Sequence, residues 1–287
     1  MKKIGDRKDA YLVRNIDGTH KFMLRLKPLR SDSDVYINKK IDVTELVKFV
    51  KEKKQTEDYK DLTFFHTFIM ACAKTIYNRP LMNRFVINDN YYDRKDISMS
   101  FVAKVSFDDT SEEYLNVIKA DNKDTLLTIK NKTVSKVKDV RNNAKNGTDG
   151  AVDKIGKLPK FLRNIVIGII KFADKKDLLP FSLIENDIYH SSVILSNLGS
   201  IHCGAIYHNL TNFGTNSILI TFGEIHKEKV LLEDGTEEIR DVCEIGANLD
   251  ERIADGFYFV KSIELFENIL KNPKLLEECV DEKIELF

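Results

Sequence analysis

The feature that most constrains the fold is an almost wholly apolar segment in the first third of the chain. It reads Thr63-Phe-Phe-His-Thr-Phe-Ile-Met-Ala-Cys-Ala-Lys-Thr-Ile-Tyr77, and Asn78-Arg79-Pro80 follows directly. A helix that is apolar on most sides must be buried on most sides. Proline cannot continue the helical hydrogen-bond ladder. The segment therefore predicts a helix inside a large core that ends just before Pro80.

Strand-like and helix-like patterns are mixed along the rest of the chain. Apolar alternation and short apolar runs predict strands at 19–27, 34–41, 84–88, 97–106, 189–195, 216–223 and 239–249. Helices are predicted from Asp42 to Lys51, over much of 111–178, and from Phe257 to Leu270. Asp234-Gly235 is typical of a hairpin turn between the last two strands. Because the elements do not alternate strictly, we expect an α+β sandwich rather than a doubly wound nucleotide-binding fold.

The size and charge of the chain narrow the possible functions. Its 287 residues are 43% hydrophobic, and no repeat or low-complexity linker divides them, so we expect a single domain over residues 1–287. The formal net charge is zero, which argues against nucleic-acid binding. The segment 119–176 nevertheless holds 15 Lys or Arg and 6 Asp or Glu, so 15 − 6 gives +9 for this segment. An expanded basic helical segment is therefore expected at about 107–185.

Several classes of site and location are not supported by the sequence. There is no GxGxxG motif or phosphate-binding loop, and no Cys/His spacing typical of zinc. We find no signal peptide and no apolar run long enough to span a bilayer, so we expect a cytoplasmic protein with reduced cysteines. No metal and no covalently bound cofactor are expected.

Two motifs in the last third of the chain resemble a known family. The first, Leu195-Ser196-Asn197-Leu198-Gly199, precedes the apolar strand Ser217–Gly223, and the second runs from Leu249 to Gly256 as Leu-Asp-Glu-Arg-Ile-Ala-Asp-Gly. Together they resemble CoA-dependent acyltransferases of the chloramphenicol acetyltransferase and dihydrolipoyl acyltransferase type. The latter are catalytic domains of 2-oxoacid dehydrogenase complexes. In that family the motifs read Ser-Asn/Ser-Leu-Gly and His-x-x-x-Asp-Gly, the latter often extended to Asp-His-Arg-x-x-Asp-Gly.

The resemblance implies a fold and an activity. The fold would be a chloramphenicol acetyltransferase-like two-layer sandwich, in which a mixed sheet packs against helices. The activity would be transfer of an acyl group from acyl-CoA, the expected co-substrate, to a hydroxyl or thiol acceptor. The resemblance also implies a homotrimer whose active sites lie between subunits. No lipoyl domain is recognised, so we expect this chain not to be a complete acyltransferase component by itself.

Residue roles carry over at the matching positions. The resemblance assigns Ser196 to hydrogen-bond the tetrahedral oxyanion, a contact that can be worth about 3 kcal/mol. It implies that Asp255 pairs with Arg7 to hold the motif turn, and that Gly256 allows close backbone approach. The structural support residues implied by the same alignment are Asn197, Gly199 and Arg252.

The catalytic histidine of the family is replaced by Glu251. A glutamate has an ordinary pKa of about 4.3 against about 6.5 for histidine, so it is the weaker base. Two hypotheses follow: transfer with Glu251 or a displaced histidine as base, or a non-catalytic binding or scaffold subunit. His202 and His208 follow the Ser196 loop and are candidates for a displaced base, although surface loop positions are the simpler interpretation.

The stretch 157–176 is amphipathic with basic flanks. The simplest interpretation is a helix packed on the domain with solvated lysines. A second is a helix on a membrane surface. A third is a docking face for an anionic partner, such as the phosphates of CoA or an acidic acyl-carrier protein. Of the two functional interpretations, the anionic partner fits the family's substrates better.

Overall fold

A computed structural model describes residues 3–104, 113–142, 154–232 and 234–285. The strands are β1 (Ala10–Leu12), β2 (Asp34–Asp42), β3 (Arg84–Ile87), β4 (Asn90–Arg94), β5 (Ile97–Lys104), β6 (Glu113–Ala120), β7 (Val193–Asn197), β8 (Ile218–Phe222), β9 (His226–Leu231) and β10 (Glu237–Asp250). The helices are α1 (Gly18–Leu26), α2 (Thr44–Lys53), α3 (Phe64–Asn78), α4 (Leu126–Asn142), α5 (Lys160–Lys175), α6 (Phe181–Ile184) and α7 (Gly256–Lys271). None of the helices in these ranges is long and apolar enough to cross a membrane.

The strands form one large mixed sheet and one small sheet. The large sheet has the order β2-β10-β8-β7-β5-β6, and β9 pairs with the outer part of β10. The pairs β7–β8 and β5–β7 are parallel, and the other pairs are antiparallel. The small sheet has the order β1-β4-β3.

Helices α2, α3 and α7 cover one face of the large sheet, and α4 packs beside α3. Phe68 of α3 stacks on Phe222 of β8, with ring centroids 4.2 Å apart. The predicted α+β sandwich of a mixed sheet and helices is confirmed. The predicted burial of α3 is confirmed as well, and it extends to the side chain of Lys74, whose ammonium donates to two backbone carbonyls near the C-terminus.

The strand predicted at 19–27 is wrong, because residues 18–26 form helix α1. Asp17 begins this helix: its Oδ1 accepts a hydrogen bond from the backbone N–H of His20 at 3.0 Å, as an N-cap residue does. Only Leu24 of this helix is buried, while Phe22 and Leu26 are exposed. The apolar alternation in this segment therefore does not reflect a sheet face.

Four of the described strands were not expected from the sequence, and the first of them is β1. β4 follows β3 through Asn88 and Asp89, which both have a positive φ. β6 occupies the start of the region predicted to be helical from residue 111. β9 precedes the Asp234-Gly235 turn, so that turn joins β9 to β10 rather than β8 to β10.

Helix α5 does not pack on the domain along its length, so the simplest interpretation of 157–176 is wrong. Asp174 is its only buried residue, and large apolar side chains along the helix remain exposed. The helix is held instead at its C-terminal end by hydrogen bonds from the N-terminal segment. Amphipathicity thus predicted the helix but not what it contacts.

Candidate functional site

The polar residues of both motifs lie on the face of the large sheet that points away from the helices. On β10, Ile245 and Leu249 belong to the core, so alternation places Asp250 on the opposite face. On β7, Leu195 belongs to the core, so Ser196 points to that same opposite face. The sheet therefore presents both motifs on one side.

The motif turn is built around the completely buried carboxylate of Asp250. Arg252 donates to it from Nε at 2.8 Å and from Nη2 at 2.7 Å, which is a bidentate ion pair. The third guanidinium nitrogen of Arg252 donates to the backbone carbonyl oxygens of Lys27 and Pro28. This pair ties the end of β10 to the segment that follows α1.

Arg30 completes this cluster from the other side. Its Nε lies 3.7 Å from Oδ2 of Asp250, and its other nitrogens donate to backbone carbonyls that include Thr211 and Gly214. Burial lowers the pKa of Arg30. We call Asp250, Arg252 and Arg30 the motif-turn cluster.

Glu251 stands at the first position of the turn after β10. Its backbone N–H donates to the carbonyl of Ser33 at 2.9 Å, and its carboxylate forms an ion pair with the ammonium of Lys27. The carboxylate side chain is 35% exposed. The contact with Lys27 is made by Oε1, one of the two carboxylate oxygens of Glu251.

Asp255 does not pair with Arg7, so this expectation from the resemblance is wrong. Asp255 is exposed and caps α7, with its Oδ1 accepting the backbone N–H of Tyr258 at 2.7 Å. The close approach expected at Gly256 does not occur either, because a Cβ there would meet nothing within 4 Å. At Gly199, by contrast, a Cβ would lie 2.9 Å from the carbonyl oxygen of Gly223.

Arg7 is buried in a different cluster, at the C-terminal end of α5. Its Nε donates to Asp9 at 3.0 Å, and its two terminal nitrogens donate to the backbone carbonyl and the carboxylate of Asp174. His190 joins them: its Nε2 lies 3.1 Å from Asp174 and its Nδ1 lies 2.5 Å from Asp187. We call Arg7, Asp174, His190 and Asp187 the helix-anchor cluster.

Charge in this second cluster depends on a histidine. Burial lowers the pKa of His190, but the hydrogen bonds and charges of Asp174 and Asp187 outweigh burial, so the pKa is raised above its ordinary value. Burial also raises the pKa of Asp174, but His190 and Arg7 outweigh it and leave that pKa lowered. The cluster is therefore arranged around a protonated imidazole.

Ser196 and Glu251 are far apart within one chain. The register places Ser196 beside Thr221 on β8, and Thr221 beside Gly246 on β10. Glu251 follows Gly246 by five residues, about 16 Å along a strand. The fold thus aligns both motifs on one face but does not bring them together. Asn197 is exposed at the end of β7, and its backbone carbonyl oxygen accepts a hydrogen bond from the hydroxyl of Ser200.

His202 and His208, the two candidates for a displaced base, lie on the surface. His202 is exposed, and its ring lies 2.6 Å from the carboxylate of Glu224. His208 is exposed, and its backbone carbonyl accepts the side-chain N–H of Asn248. Within one chain, neither imidazole is placed beside Glu251. In the described part of the chain, no group of three His, Cys, Asp or Glu residues could hold a metal ion.

A basic cleft of about 380 Å³ lies beside the motif turn. Arg30 and Arg252 line it from the domain, and Lys171 and Lys175 line it from α5. Two carboxylates, Asp89 and Asp174, also reach it. Sequence reasoning missed this cleft and gave no role to Lys27, Arg30 or His190. Lys27 and Arg30 meet Glu251 and Asp250 across most of the chain, which leaves no local pattern, and the His190–Asp187 pair lies outside both family motifs.

Comparisons with known proteins find relatives in sequence and in fold. The family model of the 2-oxoacid dehydrogenases acyltransferase (catalytic domain) matches residues 26–150. The lipoamide acyltransferase component of the branched-chain alpha-keto acid dehydrogenase complex of Bacillus subtilis (strain 168) is 25% identical over 252 residues, which cover 86% of this chain. This chain spans about half of that relative's length, 47%.

Solved structures share the fold. A probable dihydrolipoamide acetyltransferase from Listeria monocytogenes 4b F2365 is 18% identical, with a TM-score of 0.60 over 94% of this chain and 96% of that one. The cubic core of a pyruvate dehydrogenase multienzyme complex gives a TM-score of 0.63 at 15% identity, over 92% and 93%. A chloramphenicol acetyltransferase gives 0.50 at 11%, over 92% and 98%. The predicted resemblance and the chloramphenicol acetyltransferase-like fold are confirmed.

Proposed function

Because this chain is similar in sequence and fold to the acyltransferase catalytic domains of 2-oxoacid dehydrogenase complexes, we propose that it is an acyl-CoA-binding subunit that lacks the histidine-driven transfer step. The observation that carries the proposal is the ion pair between Glu251 and Lys27 at the position of the family's catalytic base. The carboxylate is paired with an ammonium group at the position where the reaction requires a group that takes up a proton.

The site of this subunit would be shared between two copies in a homotrimer. Ser196 lies on the sheet face opposite the helices, and Glu251 lies just beyond the end of β10, about 16 Å away along the strand direction. A single chain therefore cannot place both on one thioester. Two copies arranged around a threefold axis could bring Ser196 of one against the motif turn of the next, as the family resemblance implies.

The basic cleft is where we expect the phosphates of CoA to bind. Arg30 and Arg252 are already held by buried partners, but Lys171 and Lys175 are exposed on its rim. Lysine ammonium groups on flexible stems suit phosphate binding as point charges. In this proposal the anionic partner considered for the stretch 157–176 is CoA, and it contacts the polar face of α5 rather than the whole helix.

A second candidate function is acyl transfer with Glu251 as base. The partial exposure of its carboxylate favours this alternative, because an acceptor hydroxyl or thiol could reach it. In that reaction Glu251 would take the acceptor's proton while the acceptor attacks the thioester carbonyl. Ser196 would hydrogen-bond the resulting oxyanion. Collapse of this intermediate would break the C–S bond, and Glu251 would return the proton to the sulfur, so that CoA leaves as a thiol.

Two measurements test these candidates: the first tests acyl-CoA binding, and the second separates binding alone from transfer. Calorimetry with acetyl-CoA tests binding, and we expect binding that falls at least about tenfold in Lys171→Gln/Lys175→Gln, since two phosphate contacts are lost. Lys48→Gln/Lys261→Gln is the matched control on the opposite, helix-covered side. Absence of acetyl-CoA binding to the wild type would refute the proposal.

Thiol release from acyl-CoA in the presence of dihydrolipoamide or a hydroxyl acceptor tests turnover. We expect no release by the wild type and a gain in Glu251→His/Lys27→Ala, because the imidazole would then be free of the lysine. Wild-type turnover that disappears in Ser196→Ala and Glu251→Gln would instead establish the transferase. Glu224→His is the control for adding a histidine to the surface near Ser196.

A further inference from the structure

Helix α5 carries a broad apolar face that the other described elements leave uncovered. Phe161 is 73% exposed, Ile169 is 62% exposed and Phe172 is 59% exposed. Ile165 is exposed between them. Several large apolar side chains exposed side by side indicate an interaction surface, whereas single exposed apolar residues do not.

The spacing of these residues places them on one side of the helix. Positions 161, 165, 169 and 172 recur at intervals of three or four, which is the helical period. Asp174 falls on the opposite side, and Lys160, Lys171 and Lys175 lie along one flank between the two. The helix therefore has one apolar face with a basic flank.

The anchor of α5 turns the apolar face outward. Asp174, near its C-terminal end, is held by Arg7 and His190, and Lys8 donates to the carbonyl oxygen of Leu179 just beyond. Because Asp174 lies opposite the apolar residues and is buried against the domain, the apolar face points away from the domain, and Lys171 and Lys175 on the flank line the basic cleft. Leu178, which is also exposed, extends the apolar surface past the helix end.

The charge around this face is almost entirely positive. Between Lys154 and Lys176 there are seven Lys or Arg residues and one acidic residue, Asp174, which is buried with its partners. A partner for this surface must offer both an apolar interior and negative charge at its boundary. A bilayer that contains anionic lipids offers both.

We propose that α5 docks this protein onto the surface of an anionic lipid bilayer. The helix would lie in the plane of the interface, with Phe161, Ile169 and Phe172 among the acyl chains near the headgroups. Its 16 residues span about 24 Å, so the whole apolar face reaches the bilayer in this orientation. The flanking lysines extend their ammonium groups to the lipid phosphates.

A second copy of the chain fits this face less well. Contact between two α5 helices through their apolar faces would bring two sets of seven cations together, with one buried acid in each set. Like charges at such an interface oppose association. The bilayer relieves the same repulsion by supplying counter-charge.

Sedimentation of the full chain with vesicles tests the proposal, in the absence of acyl-CoA so that the result does not depend on the proposed function. We expect at least about tenfold stronger binding to phosphatidylcholine vesicles with about one-third phosphatidylglycerol than to phosphatidylcholine alone. This preference should weaken at about 0.5 M NaCl, since salt screens the headgroup charge.

A matched pair of double variants assigns the binding to α5. Phe161→Ser/Ile169→Ser should lose at least about tenfold in vesicle binding. Phe257→Ser/Leu231→Ser removes side chains that are 74% and 70% exposed elsewhere and should bind like the wild type. All four positions are exposed, so both variants should melt like the wild type, which circular dichroism checks.

Three outcomes would overturn the proposal. The first is no sedimentation of the wild type with anionic vesicles. The second is equal loss in both double variants, which would indicate general surface adhesion. The third is a wild type that does not bind vesicles but whose mass by light scattering falls in Phe161→Ser/Ile169→Ser, which would make the face an interface between copies.

Discussion

The motif-turn cluster and the helix-anchor cluster are both buried groups of charges, but they differ in what keeps them charged. Asp250, Arg252 and Arg30 join a carboxylate to two guanidinium groups, and guanidinium is protonated at every physiological pH. The helix-anchor cluster instead depends on His190, which lies between two carboxylates. The charges of the motif-turn cluster are therefore present at every physiological pH, whereas the charge of the helix-anchor cluster depends on pH.

The difference shows which residues of the motif turn stabilise the fold. The Asp250–Arg252 pair is buried and bidentate, whereas Glu251 beside it is partly exposed. Removal of Asp250 would leave two buried guanidinium groups without their carboxylate, and removal of Arg252 would leave that carboxylate with Arg30 at 3.7 Å, a large cost in stability. Glu251 is partly exposed, so its replacement costs the fold little. In this turn the buried pair, and not the carboxylate of Glu251, is therefore expected to stabilise the fold.

The largest effect is expected from Arg252→Met, which removes the bidentate partner of the buried Asp250 carboxylate and leaves it with Arg30 at 3.7 Å. We expect a loss of about 3–5 kcal/mol in the free energy of unfolding, measured by urea denaturation. Arg25→Met is the matched control, because Arg25 pairs with Asp89 at the surface, and it should cost less than about 1 kcal/mol. Equal costs would show that the motif-turn cluster does not stabilise the fold as described.

His66 is a second buried histidine, and its pKa is shifted in the direction opposite to that of His190. Burial, with a smaller contribution from Lys130, lowers the pKa of His66 to about 4. Because the unfolded chain takes up this proton near pH 6.5, stability should fall as the pH drops from about 6.5 toward 4, by up to about 3 kcal/mol.

His66→Gln isolates that titration. The ring Nδ1 of His66 accepts the backbone N–H of Thr63 at 3.0 Å, and a glutamine at this position of a capping box can do the same. The variant should therefore lose less stability than the wild type over this pH range, in urea denaturation at each pH. The same slope in both proteins would place the acid sensitivity elsewhere.

His190 should show the reverse slope. Its raised pKa means that its contribution is fully present below about pH 6.5, the unfolded value, and is lost as the pH rises through the folded pKa. NMR titration of the imidazole should show this raised pKa, and Asp174→Asn should lower it. An unchanged pKa in Asp174→Asn would show that Asp174 does not hold the imidazolium.

The smallest effect is expected from Lys27→Ala. The ion pair between Lys27 and Glu251 is partly exposed, so its loss should change the free energy of unfolding by less than about 1 kcal/mol. Thermal or urea denaturation beside Arg252→Met gives the comparison directly. A loss as large as that of Arg252→Met would make Glu251 a structural residue in its own right.

Sequence reasoning succeeded where the signal is local. Burial of α3 followed from its composition, and its end before Pro80 followed from proline chemistry. It failed for α1, because nine residues with mixed apolar spacing fit a strand and a helix alike, and the Asp17 cap decided the outcome. Strands β4 and β9 were missed because their side chains are largely polar.

The sequence by itself determined the apolar core, the two motifs and the amphipathic character of α5, since each lies in a short run of residues. Only the tertiary structure decided which charges meet. Arg7 finds Asp174 across 167 positions rather than Asp255, and Lys27 finds Glu251 across most of the chain. Such contacts depend on how strands and helices are arranged in space, and no local period in the sequence records that arrangement.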